Sequence, residues 1–181
     1  MNPQEPQYKL IVGLGNPGPD YANTYHNVGA LAVDHLIAEA RPLELKKNAA
    51  KKFQYAADGH IIFIKPLTYM NESGVAVKNA LKQFKATPEE ILVIHDDSDI
   101  TLGEYKLSYE RGAGGHKGIE SIIQQLKTKK FWRLRIGIRP PAIAGAPRKK
   151  AEEFVLKRIS AAHRRSLETV FAAISKHMEQ L

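Results

Sequence analysis

The stretch "KLIVGLGNPGPDY", from Lys9 to Tyr21, constrains the fold more than any other part of the chain. An apolar strand feeds Gly13, Gly15 and Gly18, which is the G-x-G-x-x-G spacing of a dinucleotide-binding βαβ unit. In such a unit the third glycine runs straight into a helix, whose first N–H groups receive a pyrophosphate. Here Pro17 and Pro19 flank that glycine. Pro19 offers no N–H, and it pushes Gly18 out of the α region. No helix starts there. Helical periodicity begins only near Asn27, with Val28, Leu31, Ala32, Leu36 and Ile37 apolar. An acid stands at about the right distance for a ribose contact, but Asp34 lies inside that helix rather than at the end of a second strand. Pro17 and Pro19 therefore argue against a nicotinamide cofactor, and Asn16-Pro17-Gly18 reads as a tight loop closing the first strand.

The remaining pattern alternates strands and helices. Residues 8–15 predict a strand, and 27–41 a helix stopped by Pro42. "FQYAADGHIIFIK" predicts a hairpin turning at Asp58-Gly59. "ESGVAVKNALKQF" is an amphipathic helix, with Asn71 or Ser73 as its cap. "EEILVIHDD" reads as a buried strand ending in acids, and "GEYKLSYE" as a strand by alternation. The glycine-rich "RGAGGHKG" opens a helix through Leu126, and "WRLRIGI" is a strand with its cations on one face. A Pro/Ala/Gly loop, "PPAIAGAPRKK", precedes a last helix from about Ser160 to Gln180. This order predicts one α/β domain over 8–181, after a flexible tail of residues 1–7. Its sheet is expected to be mixed, mostly parallel and twisted, flanked by helices. A chain of 181 residues suits one such core.

Composition narrows the chemistry. There is no cysteine, which removes thiol catalysis, disulfides and thiolate metal sites. No apolar run approaches a membrane span, and "MNPQEPQ" reads as neither a signal peptide nor an Arg-rich transit sequence, so a cytoplasmic location is expected. The net charge of +8 is unevenly spread. Lys127 to Arg165 holds thirteen Lys or Arg against two acids, whereas the rest of the chain holds fourteen against seventeen. A basic region mixing cations and aromatics, as in "KKFWRLRIGIR", is the footprint of a polyanion, with nucleic acid the usual one.

In α/β sheets, ligand sites form beyond the carboxyl ends of the strands. The loops "GNPGPDYANTYHNVG", "KPLTYMNESG", "IHDDSD" and "RGAGGHKG" together carry Asn16, His26, Asn71, Asp96 and His116. An imidazole, a carboxylate that orients it and amide donors make up the constellation of general-base hydrolysis. His26 is the candidate base, because it precedes a helix whose positive end favours the neutral ring. Asp96, Asp97 and Asp99 also raise a Mg²⁺ reading. They lack the EF-hand glycine and terminal Glu, and no second acidic cluster stands out. Tyr21 and Tyr69 can be core aromatics or stacking platforms for a base or ribose.

These blocks, in this order and spacing, resemble the bacterial-type peptidyl-tRNA hydrolase family. "FWRLRIGIRP" and "EEFVL" extend the likeness over nearly all of the chain after residue 7. The resemblance implies a monomeric esterase, without metal or cofactor, that frees tRNA from peptidyl-tRNA dropped off the ribosome. By the same resemblance, His26 is the general base on water and Asp96 its orienting carboxylate. Asn16 distinguishes N-blocked substrates from free aminoacyl-tRNA, and Asn71 positions the peptide backbone. Tyr21 and Tyr69 match tRNA-contacting positions, and Lys106 and Arg135 match the basic tRNA-binding face. One position departs from the pattern: Lys117 stands where such proteins commonly carry an Asn that positions substrate and water. A non-catalytic RNA-holding module of the same fold is the alternative, but it would tolerate loss of the His26, Asp96, Asn16 and Asn71 set that this chain retains.

Overall fold

A computed structural model describes residues 7–40, 43–140 and 150–178. The expected N-terminal tail (but for residue 7), most of the Pro/Ala/Gly loop and the final residues of the last helix lie outside them. Among the described residues seven strands form one sheet in the order β2-β3-β4-β1-β5-β7-β6. They are β1 (Leu10–Gly13), β2 (Lys46–Lys47), β3 (Phe53–Asp58), β4 (Ile61–Pro66), β5 (Ile91–Thr101), β6 (Tyr105–Tyr109) and β7 (Trp132–Arg139). The central strands β4, β1, β5 and β7 run parallel, and antiparallel partners flank them at both edges. The helices are α1 (Val28–Glu39), α2 (Ser73–Phe84), α3 (Lys117–Leu126) and α4 (Ala161–Met178). None of the described helices is long and apolar enough to cross a membrane.

Burial on both faces explains why the parallel strands read as continuous apolar runs. One face of the sheet (Ile11, Leu92, Ile94, Leu134, Ile136) packs on α1 and α4 through Val28, Leu36, Leu167 and Phe171. The other face (Leu10, Val12, Ile91, Val93) packs on α2 and α3 through Ala76, Val77, Ile119 and Ile122. The result is a three-layer sandwich, and its helix starts and parallel strand ends face the same rim.

Two local expectations are corrected. Asp58 pairs with Ile61, so the hairpin turns on Gly59-His60 rather than Asp58-Gly59, with Gly59 at φ +58°. Neither Asn71 nor Ser73 caps α2. A 3-10 turn over Met70–Glu72 leads into the helix, Glu72 holds the cap position without a side-chain bond, and Ser73 is the first helical residue. The prolines at the false fingerprint act as the sequence requires. No helix follows β1 until a 3-10 turn at Tyr25–Asn27 enters α1.

α1 can lie this close to the sheet because glycines meet there: a Cβ on Gly13 would sit 2.4 Å from the Gly29 carbonyl oxygen. A Cβ on Gly29 would sit 2.1 Å from the Ile94 carbonyl oxygen, which already accepts from the Leu14 N–H at 3.0 Å. That contact sets the distance between the first turn of α1 and β5. Overpacking at a backbone contact costs about 1–3 kcal/mol. Gly29→Ala is therefore expected to lower the melting temperature by roughly 2–4 °C per kcal/mol lost. An unchanged melting curve would show that the helix can lift without cost.

Candidate active site

Three elements converge on Asp96, midway along β5 and just past the end of β1; the strand expected to end in its acids runs on to Thr101. β1 ends at Gly13, paired with Ile94, so Asp96 emerges two positions beyond it while still paired with Ile136 of β7. His26 comes from the 3-10 turn before α1. The backbone there is strapped to the segment before α4: the His26 N–H donates to the Val155 carbonyl (2.8 Å) and the Tyr25 N–H to that of Lys157 (3.3 Å). His116 comes from the glycine loop and is the N-cap of α3.

The Asp96 carboxylate is 3% exposed and holds both rings. It can only accept, so His26 Nδ1–H donates to it, at 2.9 Å from Oδ1 and 3.1 Å from Oδ2. In the neutral ring this leaves His26 Nε2 as a free acceptor, the arrangement of a general base. His116 Nε2 lies 3.0 Å from the same Oδ1. His95, next along β5, turns its Nδ1 to the Asp96 carbonyl at 2.7 Å, and its ring meets His116 edge-on at 4.7 Å.

Burial of His26 works against its charged form, but the charge and hydrogen bond of Asp96 outweigh it and raise the pKa. Burial likewise opposes the Asp96 charge, yet attraction to His26 and His116 and the bonds from both rings hold it well below the usual carboxylate range. His95 is pushed well below the ordinary imidazole value by burial and by His116. The expectation that the positive start of α1 keeps His26 neutral is corrected: burial opposes the charged ring, but the charge and hydrogen bond of Asp96 together outweigh it and raise the pKa.

Asn16, bonded to Asn27 directly after His26, does not line the cavity that opens from this cluster. Its Oδ1 accepts from the Met70 N–H at 2.7 Å, which ties the β1 loop to the turn carrying Asn71. Asn27 grips its backbone from both sides: the Asn16 N–H donates to Asn27 Oδ1, and Asn27 Nδ2 donates to the Asn16 carbonyl, each at 2.9 Å. The sequence reading passed over Asn27, whose only signal was its place directly after His26. Tyr21 and Tyr69 pack edge to face at 6.4 Å, and Tyr69 is 55% exposed, so the pair is not core. Asn71 is exposed beside them.

A cavity of about 310 Å³ opens from His26, Asp96 and His116 toward Asp97, Arg111, the glycine loop, Lys117 and Lys150. Lys117 is 67% exposed and pairs with Glu120 at 3.1 Å. Lys106 is exposed on β6, opposite Arg135. Arg135 itself is half-buried, its Nε 2.8 Å from Asp97 Oδ2. Arg133 is fully buried and donates from Nη1 to the Gly112 carbonyl at 3.0 Å; burial, Arg135 and Arg111 push its pKa down to about 10. The cations of β7 alternate as the pattern predicts, but Arg133 is buried, Arg135 is paired with Asp97, and both line the cavity.

His26, Asp96 and His116 each offer a ligand atom, all within 4.8 Å of one another, which raises a metal reading. The donor set does not fit one. His116 Nδ1 accepts from the Gly118 and Ile119 N–H groups, so its proton sits on Nε2, the atom a metal would need. Nor do the strand acids gather as a Mg²⁺ site. Among the described residues only His26, Asp96 and His116 gather as possible ligands, and Asp97 is taken by Arg135.

The family model for peptidyl-tRNA hydrolase matches residues 10–181. This chain belongs to the peptidyl-tRNA hydrolase family. The peptidyl-tRNA hydrolase of Sulfurihydrogenibium sp. is 44% identical over 169 residues, covering 91% of this chain and 85% of the relative. That of Aquifex aeolicus is 44% identical over 146 residues, covering 80% and 73%. The crystal structure of peptidyl-tRNA hydrolase from Acinetobacter baumannii superposes with a TM-score of 0.86 at 30% identity, covering 98% of this chain and 90% of that one. The fold expected from the strand and helix pattern and the family expected from the four loop blocks therefore both hold.

The Asp96–His26 pair makes stability depend on pH in a defined window. Folding raises the His26 pKa, so its contribution is complete below the ordinary 6.5 and is lost as pH rises through the folded value. Folding depresses that of Asp96, so its contribution is complete above the ordinary 3.8 and is lost as pH falls. The stability difference between the parent and Asp96→Asn in urea unfolding is therefore expected to peak between these two values and to shrink on the alkaline side. A difference independent of pH would mean that the pair is not ionic in the folded chain.

Proposed function

We infer that this chain hydrolyses the ester bond joining the peptide to the 3′ ribose of tRNA in peptidyl-tRNA, returning tRNA after ribosomal drop-off. The observation that carries the reading is the His26–Asp96 pair, which fixes the imidazole proton on Nδ1 and leaves Nε2 as acceptor in a member of this family. His26 Nε2 takes a proton from water as the oxygen attacks the ester carbonyl carbon. The imidazolium is stabilised by Asp96, which orients the ring without itself taking the proton. Collapse of the tetrahedral intermediate breaks the bond to the ribose 3′ oxygen, and the proton on Nε2 passes to that leaving group.

Asn16 is held with its Oδ1 on Met70, so its amide NH2 is the group available to a substrate carbonyl. In this reading it distinguishes N-blocked peptides from free aminoacyl groups, and Asn71 positions the peptide backbone. Tyr21 and Tyr69 stack against the tRNA end. Lys106, with the exposed lysines 127, 129 and 130, meets the phosphates. Arg135, paired with Asp97, supports that face rather than supplying a free charge. The protein acts as a cytoplasmic monomer without metal or cofactor.

Release of tRNA from N-acetyl-aminoacyl-tRNA by the purified chain tests the reading, with and without EDTA. Turnover should be unaffected by the chelator. General-base help is worth about 10²–10⁴-fold, so His26→Ala should lose that much kcat while still binding tRNA. Near-normal turnover in that variant would remove His26 from the mechanism, and no release by the parent would leave only an RNA-holding role.

Lys117 is the position that departs from the family pattern. Its ammonium can donate to a phosphate or carbonyl but cannot accept a proton from water. It therefore binds substrate and leaves water activation to His26. Lys117→Ala should raise KM by about tenfold, the loss of one charge-assisted bond, with kcat unchanged. Lys117→Asn should be nearly silent. A collapse of kcat in Lys117→Ala would move the residue into the chemical step, and no change at all would assign it to its Glu120 ion pair alone.

A further inference from the structure

We propose that His116 is a positioning residue that sets the basicity of His26 through the one carboxylate oxygen the two rings share. The proposal rests on His26 being the base. His116 Nδ1 accepts from the Gly118 N–H at 3.1 Å and the Ile119 N–H at 3.4 Å, two of the donors that a helix start leaves without partners. A neutral imidazole whose Nδ1 accepts carries its proton on Nε2. That Nε2 meets Asp96 Oδ1 at 3.0 Å, and His26 Nδ1 meets the same atom at 2.9 Å. The His116 side chain is only 9% exposed, and its ring stands 4.9 Å from that of His26. Ser, Thr, Asp or Asn would cap α3 as well or better. Those short side chains end at the cap, whereas the imidazole continues through it to Asp96.

The consequence is electrostatic. Each N–H donated to a carboxylate draws on negative charge that would otherwise stabilise the His26 imidazolium. With His116 in place, Asp96 fixes the His26 proton on Nδ1 without holding the ring as a permanent cation. The neighbouring charges do not duplicate this effect. His95 of β5 donates to the Asp96 carbonyl rather than the carboxylate, and Arg133 of β7 bonds the Gly112 carbonyl. Arg135 is engaged by Asp97, Lys117 by Glu120, and Arg111, Lys150 and Glu152 line the cavity beyond.

His116→Asn separates the two roles, because an Asn side chain keeps an acceptor for the α3 N–H groups but stops short of Asp96. In the pH profile of kcat/KM for N-acetyl-aminoacyl-tRNA, its acid limb should move to higher pH by roughly one unit. His116→Ala should show the same displacement with a larger fall in melting temperature than His116→Asn, because it removes the helix cap as well as the donor to Asp96. An acid limb in His116→Asn that coincides with the parent's, or moves to lower pH, overturns the proposal and leaves His116 a helix cap only. ¹⁵N NMR of the imidazole-labelled parent at alkaline pH decides the wiring independently of any turnover. The neutral His116 ring should carry its proton on Nε2, and a proton on Nδ1 overturns the proposal. If the parent released no tRNA, the functional reading would fail while this tautomer measurement still stood.

Discussion

The arrangement of the site depends on one buried anion. The Asp96 carboxylate is almost without solvent and would be costly to ionise there alone. It is kept charged by two imidazole N–H groups that arrive from opposite helical layers, His26 ahead of α1 and His116 at the start of α3. Those layers lie on opposite faces of the sheet, so the carboxylate joins the two halves of the sandwich at its reactive rim. A buried charge with two donors is stable, and with one donor removed it becomes a liability. The geometry of the base is in this sense a by-product of satisfying an acid.

Everything that fixes those donors lies outside the chemistry. Gly29 lets α1 sit against β5, the strap from Val155 to Lys157 holds the turn containing His26, and the N–H groups of α3 hold His116. Arg133 pins the glycine loop through the Gly112 carbonyl. On the other side, Asn27 clamps Asn16, and Asn16 ties its loop to Met70. Reactive groups carried on loops are thus made rigid by contacts to helices and strands, as a site that must hold sub-ångström geometry requires.

Much of this was legible in the sequence. The alternating strands and helices gave the layers, and the prolines around Gly18 ruled out the dinucleotide helix. Loop blocks after strands carried His26, Asn16 and Asn71, whereas "IHDDSD", expected as a strand-ending loop, lies within β5, so Asp96 is a strand residue. What the sequence could not carry was pairing across long separations. The bond from His116 to Asp96 depends on where α3 starts relative to β5, and no local pattern encodes that. The cations of β7 were counted toward the partner surface, yet Arg133 is buried and Arg135 is paired, because alternation gives a face without saying whether that face is covered. The cap of α2 was misplaced because a 3-10 turn can replace a side-chain cap, and both Asn71 and Ser73 fit the compositional rule.

The central claim is that Asp96 fixes the proton of His26 on Nδ1 and raises its affinity for a second proton, leaving Nε2 to act on water. A ¹⁵N NMR titration of the His26 imidazole in the parent chain measures both properties in one experiment. The account predicts an Nδ1–H tautomer in the neutral form and a pKa above the ordinary imidazole value of 6.5. A proton on Nε2 in the neutral ring, or a pKa below that value, would contradict it.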